Sequence, residues 1–353
     1  MASIRDVARE AKVSVTTVSR VLNDSGAVTD VTRRRVERAI RQLAYRPNPS
    51  ARALRSNRTN LIALIIPEMV NPYFSAIAQG VQDVARRAGF HLILCNSGGE
   101  QSLELDYLEM VPHKHVDGCI ITPPGPNSNP AADSRLLQLG RLGYPFVSLG
   151  RQLDTPELCF DFITTDTAVG TQEAMRHLLE NGHTRIAYFG GPENVASTRL
   201  QGYRGALSAR GLVVQRELIF STDLTLEAGY RLGELILRCP DPPTAILAVN
   251  DMVAIGAVLA LQEHGVRIPE QVSVVGFDDI PLASIIRPNL TTVAQPKYDL
   301  GRLAAERLVF RLQGGIGKFE TISLSAHLIV RESTRSIFGD SRHLVADRRP
   351  CTP

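Results

Sequence analysis

With 353 residues, 44% of them hydrophobic, the chain is long enough for two or three domains with ordinary cores. No apolar run approaches the roughly 18 residues of a membrane span, and the charged opening Met1-Ala2-Ser3-Ile4-Arg5-Asp6 does not read as a secretory signal. A cytoplasmic protein with no membrane partner is therefore expected. The five cysteines (Cys95, Cys119, Cys159, Cys239 and Cys351) are odd in number and widely spaced, with no Cys-x-x-Cys. They read as reduced thiols. His113 and His115 form the one close histidine pair and fit a solvated loop, so neither metal nor cofactor is expected.

In chain order, Ile4, Val7, Ala8 and Ala11 recur at i, i+3, i+4 and i+7, the apolar stripe of a short helix, with Ser3 at its N-cap. Lys12-Val13 is a turn, and Ser14 caps a second short helix. Val18, Val21 and Leu22 lie on one side of it and Thr16, Thr17 and Arg20 on the other. This is a helix-turn-helix whose polar face fits the DNA major groove. Arg20 suits a guanine edge, and Val15 or a threonine methyl suits a thymine methyl. Ser14, Thr17, Ser19 and Asn23 suit phosphate oxygens. A third helix, capped by Thr29, carries the stripe Val36, Ala39, Ile40 and Leu43 and, opposite, Arg33, Arg34, Arg35, Arg38 and Arg41. Residues 1–60 hold 13 Lys+Arg against 5 Asp+Glu, a net of +8, while the remaining 26 and 31 leave a net of −5. Basic charge gathered at one end is the footprint of a polyanion.

Pro47 and Pro49 stop that helix. Pro49 to Arg55 has room for a turn and a half of helix, too short to stand alone in water. Leu54, between Ala53 and Arg55, suits a wedge in a minor-groove base step, so all three are assigned to DNA. The pieces Ile-x-Asp-Val-Ala, Val-Ser-x-x-Thr-Val-Ser-Arg-Val-Leu-Asn, Thr-Arg-x-x-Val and Tyr-Arg-Pro-Asn-x-x-Ala-Arg-x-Leu together resemble the headpiece of the lactose-repressor family of bacterial regulators.

From residue 60 the pattern becomes apolar runs alternating with amphipathic helices. Strands are expected at Leu61–Ile66, His91–Asn96, Gly118–Thr122, Phe146–Leu149, Ile186–Phe189, Leu218–Phe220, Ala245–Val249, Val272–Gly276 and Ile322–Val330, with helices between. That is an α/β fold of doubly wound parallel sheets in two lobes. The resemblance implies a helix-turn-helix domain (1–47), a hinge helix (48–59) and a periplasmic-binding-protein-like effector and dimerisation domain (60–337). It implies three crossings, with lobe 1 at about 60–164 and 293–323 and lobe 2 at about 165–292 and 324–337. Residues 338–353 read as a frayed tail without the leucine heptad that joins dimers into tetramers, so a homodimer is expected.

Ligands of such sheets bind at the carboxyl ends of strands. There stand Asn71, Tyr73, Phe74, Arg151, Arg199, Asn250, Asp278 and Gln295. Asn71 and Asn250 equally fit helix caps, Asp278 fits loop amides and Phe74 fits a core. As a set they offer amides, a carboxylate, two guanidinium forks and aromatic rings, the groups that grip sugar hydroxyls and stack on a sugar face. The resemblance assigns them to a small-molecule effector of the sugar class. Gly150 and Leu224 depart from the family, where Asp often precedes the arginine and an aromatic often stands at the second position. A nucleobase corepressor is the alternative, disfavoured by the missing aromatic. A transport receptor is excluded by the headpiece. The chain lacks a Gly-x-x-x-x-Gly-Lys-Ser/Thr loop, a Gly-x-Gly-x-x-Gly after the first strand and a Gly-x-Ser-x-Gly elbow, so no enzyme is expected. The expected partner is near-palindromic operator DNA, bound by a symmetric dimer and controlled by the angle between the lobes.

Overall fold

The structure is a computed structural model that describes residues 2–22, 26, 28–45, 58–111, 116–122, 129–151, 153, 159–191 and 197–338. The chain divides into two compact units, residues 1–59 and 60–353. The hinge helix expected within 48–59 and the tail after 338 lie outside the described residues.

Among the described residues the first unit holds three helices, α1 (Ile4–Glu10), α2 (Val15–Leu22) and α3 (Asp30–Gln42). Ser3 and Asp6 form a reciprocal capping box on α1, and Thr29 caps α3. Lys12 takes a left-handed φ of 52°, which swings the chain from α1 into α2 in a single turn. Val7, Ala8, Ala11, Val18, Val21, Val36 and Ala39 make one small core from all three helices. Small residues suit it, because helices this short must approach closely to exclude water.

The second unit contains two six-stranded sheets. In chain order its elements are β1 (Leu61–Ile66), α4 (Pro72–Arg87), β2 (His91–Asn96), α5 (Gln101–Met110), β3 (Gly118–Ile121), α6 (Pro130–Arg141), β4 (Phe146–Leu149) and β5 (Asp161–Thr165). There follow α7 (Thr167–Glu180), β6 (Ile186–Gly190), α8 (Ser197–Ala209), β7 (Ile219–Ser221), α9 (Leu226–Ile236), β8 (Ala245–Ala248), α10 (Asp251–Glu263) and β9 (Ser273–Asp278). The last are β10 (Thr291–Ala294), α11 (Lys297–Leu312), β11 (Thr321–Leu324) and β12 (His327–Ile329). One sheet runs β11-β5-β4-β3-β1-β2 and defines lobe 1; the other runs β12-β10-β9-β8-β6-β7 and defines lobe 2. Every pairing is parallel except β10 with β12. Helices cover both faces of each sheet, so central strands such as Leu61–Ile66 are almost wholly apolar.

The chain passes between sheets after β5, after β10 and after β11. The single strand expected over Ile322–Val330 is two strands instead. The chain leaves one sheet after Leu324 and joins the other at His327. The strands β5 and β10 are also strands rather than bare crossings, with every residue of β10 buried. Helix α11 returns to lobe 1 and lies against α4. A Cβ at Gly80 would stand 2.2 Å from the Tyr298 carbonyl, and one at Gly301 would stand 2.1 Å from that of Ile77. The two backbones therefore touch, which ties the segment after the second crossing to the helix after β1.

Candidate DNA-reading and effector sites

In the headpiece, the hydroxyl of Ser14 accepts from the Thr17 amide at 3.1 Å and pairs with the Thr17 hydroxyl at 2.9 Å, which starts α2. Val18 and Val21 face the core, while Thr16 and Arg20 are exposed on the opposite side. Thr17 and Ser19 are half-buried at the flanks. Val15 is also half-buried and packs on the headpiece core, so much of it is turned away from the outer face. On α3 the guanidinium side chains of Arg34, Arg35, Arg38 and Arg41 are exposed. Asn23, Ala53, Leu54 and Arg55 lie outside the described residues.

The effector candidates divide into a group that comes together and one that does not. Asp278 ends β9 with φ 111°, followed by Asp279 at φ 54°. Two consecutive non-glycine residues at positive φ are rare and are held by surrounding contacts. Lys297 Nζ donates to the main-chain oxygens of Asp278, Asp279 (2.9 Å) and Gln295 (3.3 Å). Arg331 Nη2 donates to Asp279 at 2.6 Å. Asp251, fully buried, accepts from the Ile280 amide at 2.8 Å and from the Thr292 hydroxyl at 2.5 Å. Burial first, and then the charge of Asp278, hold the Asp251 carboxyl well above its ordinary range.

The Asp278 side chain accepts from Gln295 Nε2 at 2.7 Å. Burial pushes its carboxyl up to about 6, against the opposing pull of Arg199, Gln295 and Lys297. Arg199, near the start of α8, donates from Nη1 to the Val249 carbonyl at 2.8 Å. Its guanidinium lies 4.1 Å over the Phe277 ring. Tyr73, on α4 of lobe 1, packs against the main cores of both lobes. Its phenol is pushed upward by burial and then by Asp278. Phe74 stands edge-on to Tyr73, centroids 5.1 Å apart, and packs only on lobe 1.

Asn71 and Asn250 act as helix caps. Asn71 Oδ1 accepts from the Tyr73 amide at 3.0 Å, and Asn250 Oδ1 accepts from Val253 at 2.8 Å. Asn250 also donates to the Leu224 carbonyl at 2.9 Å. Both caps border the group: Asn71 starts the helix that carries Tyr73, and Asn250 follows the carbonyl that Arg199 holds. Glu68, five residues before Tyr73, also borders the group and was not expected there from the sequence. It bonds the Asn71 side chain, and its carboxyl is raised by burial and by Asp278 and Glu227 across the cleft. No local pattern marks it.

Arg151 is not in the group. Its Nη1 meets Glu104 at 2.6 Å, Nε meets Asp133 at 2.7 Å, and Nη2 reaches the Asn129 carbonyl at 3.3 Å. Asn129 Nδ2 closes the ring onto Glu104 at 2.7 Å. Arg151 is 4% exposed. The fork expected to hold a ligand instead ties α5, α6 and the end of β4 within lobe 1. A cavity of about 510 Å³ opens beside the Asp278–Asp279 turn, lined from α4 by Pro72, Ser75, Ala76 and Gln79 and from lobe 2 by Asp279 to Pro281. None of the eight candidates lines it.

These features define a class: a helix-turn-helix unit joined to a two-lobed sensor. The family model for bacterial regulatory proteins of the lacI family matches residues 3–48, and that for a periplasmic binding protein-like domain matches residues 175–334. The HTH-type transcriptional repressor CytR of Escherichia coli K12 is 33% identical over 95% of this chain and 97% of its own length. The regulator DegA of Bacillus subtilis is 36% identical over 94% and 98%. Among solved structures, the lac repressor dimer bound to operator and the anti-inducer ONPF superposes with a TM-score of 0.81 at 29% identity, covering 95% of this chain and 99% of that one. The CelR–cellobiose complex gives 0.70 at 34% identity over 94% and 100%. The chain belongs to the LacI family of bacterial transcriptional regulators. No helix among the described residues is long and apolar enough to cross a membrane.

Proposed function

We propose that this protein is a cytoplasmic, homodimeric, non-enzymatic repressor whose grip on a near-palindromic operator is set by a sugar bound between its lobes. The observation that carries the reading is the cluster of Tyr73, Arg199, Asp278 and Gln295. A lobe-1 ring packs on both cores beside a lobe-2 carboxylate that is bonded from the second crossing. A sugar there meets a carboxylate and a guanidinium able to take paired hydroxyls, and an aromatic face. Closure on it changes the angle between the lobes and hence the spacing of the two hinges, on which Ala53, Leu54 and Arg55 would meet the minor groove. A ligand shifts such an equilibrium only by its differential affinity for the two states. Induction by a sugar is the default sign; corepression by a nucleobase is the alternative. Its support is weaker, because Leu224 supplies no second ring.

On the DNA side, Arg20 on the exposed face of α2 reads a base and Ser14, Thr17 and Ser19 hold phosphates. Fragments selected from genomic DNA provide the operator, and titration of D-ribose, cellobiose and hypoxanthine tests release and thermal shift. Release from the operator by a sugar is expected. The absence of any sequence preference at moderate salt would refute the reading. Arg20→Ala is expected to weaken operator binding by about 1–3 kcal/mol and relax one base position. Equal loss on random DNA would remove that role.

A further inference from the structure

We infer that the hydroxyl of Tyr188 is a specificity-determining group of the effector site, sharing one ligand oxygen with Nε of Arg199. The inference rests on the cleft proposed above. Tyr188 lies on β6, two residues before its end. Side chains at i and i+2 share a face, so its neighbour along the strand is Gly190. A Cβ on Gly190 would stand 2.2 Å from one ring carbon of Tyr188 and 3.0 Å from Cζ. The ring therefore lies flat along the strand, over its last residue. Its hydroxyl end is directed to the carboxyl edge, where ligands of such sheets bind.

Register supplies the other half. Tyr188, Leu247 and Val275 stand side by side in β6, β8 and β9. Two residues on, Gly190, Val249 and Phe277 form the last row of the same face. The Tyr188 ring covers the first of these, and Arg199 covers the other two through its bond to the Val249 carbonyl and its stacking on Phe277. Both side chains carry a buried polar atom with no hydrogen-bond partner among the described residues, Tyr188 Oη and Arg199 Nε. Tyr188 is 1% exposed. Nearly all buried polar atoms are partnered, so two orphans at one edge call for an occupant. The neighbouring Tyr203, its ring 5.3 Å away, shows the contrast: its hydroxyl donates to the Ile186 carbonyl at 2.8 Å.

Nε–H only donates, whereas a phenol donates or accepts. The fitting group is a hydroxyl or carbonyl oxygen that accepts from Arg199 and exchanges a hydrogen bond with Tyr188. An ammonium does not fit.

Tyr188→Phe keeps the ring and removes the hydroxyl. Deleting an unpartnered buried group raises the melting temperature of the ligand-free protein by about 1–4 °C. The same change weakens the bound member of the D-ribose, cellobiose and hypoxanthine panel about three- to ten-fold. Tyr203→Phe shows the opposite pair: a lower melting temperature and unchanged affinity. A merely structural hydroxyl at 188 behaves like that at 203, so a fall in melting temperature or an unchanged affinity in Tyr188→Phe overturns the inference. A probe that binds wild type and Tyr188→Phe equally leaves the effector cleft standing and removes only Tyr188. If no member of the panel binds wild type, the cleft reading fails and this inference fails with it.

Discussion

Lobe 1 and lobe 2 each present an arginine at the carboxyl end of a strand, and the two side chains have opposite fates. Arg151 in lobe 1 faces Glu104 and Asp133, and its guanidinium is spent on them and on Asn129. Arg199 in lobe 2 has a ring beneath it, one carbonyl on Nη1, and Nε without a partner among the described residues. Position at a strand end therefore does not fix what a guanidinium meets. What matters is whether neighbouring helices supply carboxylates of their own. In lobe 1, α5 and α6 do. In lobe 2 the carboxylate opposite Arg199 is Asp278, whose side chain accepts from the Gln295 amide.

The sharpest way to break this contrast is to remove the lobe-1 partner. Glu104→Ala leaves Arg151 nearly buried with only the half-exposed Asp133 to balance it. A loss of about 3–5 kcal/mol in urea unfolding is expected, whereas Arg151→Met, which removes the charge itself, costs less. Equal losses would mean that Arg151 is not acting as a buried ion.

Next in size is the pH dependence of Asp278. Its carboxyl sits near 6 in the fold, against 3.8 for the ordinary group. Between pH 4 and 6 the folded carboxyl keeps a proton that the unfolded one has lost. Its contribution to stability is thus fully present below pH 4 and is lost as pH rises through 6. The stability difference between wild type and Asp278→Asn is expected to shift against wild type by about 2–3 kcal/mol from pH 4 to pH 7. A flat difference would mean that the carboxyl is better solvated than its burial indicates.

The smallest of the three is functional. Arg199→Ala is expected to weaken the effector about ten- to thirty-fold, roughly 1.5–2 kcal/mol, with the operator still bound. Arg151→Met, compared among folded molecules, is expected to leave effector affinity nearly unchanged. Reversal of that order would return Arg151 to the ligand and take Arg199 from it.

Much of this was legible in the chain. The headpiece stripes are local, and Ser3, Ser14 and Thr29 act on amides within the next turn. The apolar runs of β1, β3, β4, β8 and β9 announce buried parallel strands. The short strands at the crossings were not legible as strands. The sequence of β5, Asp-Phe-Ile-Thr-Thr, and that of β10, Thr-Thr-Val-Ala, contain no apolar run. On one side each pairs with a nearby strand, β4 or β9, but on the other the partner is remote, more than a hundred residues away for β5 with β11 and some thirty-five away for β10 with β12. The site was legible as a list of strand-end polar residues. The contacts of those residues were not: Glu68, which the fold brings to the Asn71 side chain, and Tyr188, proposed above for the site, carry no local signal, and nothing near Arg151 in the chain announces Glu104 and Asp133 as its partners.

The order of residues alone determined the helix-turn-helix, the α/β alternation and the concentration of positive charge at one end. Those features rest on periods of two and 3.6 residues, on caps one turn away and on summed charge, all short-range or additive. The tertiary structure decided which arginine is consumed by carboxylates 47 and 18 residues away, which tyrosine hydroxyl finds no partner among the described residues, and which asparagines are caps. A buried polar atom is governed by whatever stands within about 3 Å of it, and that distance is set by packing between elements far apart in the chain.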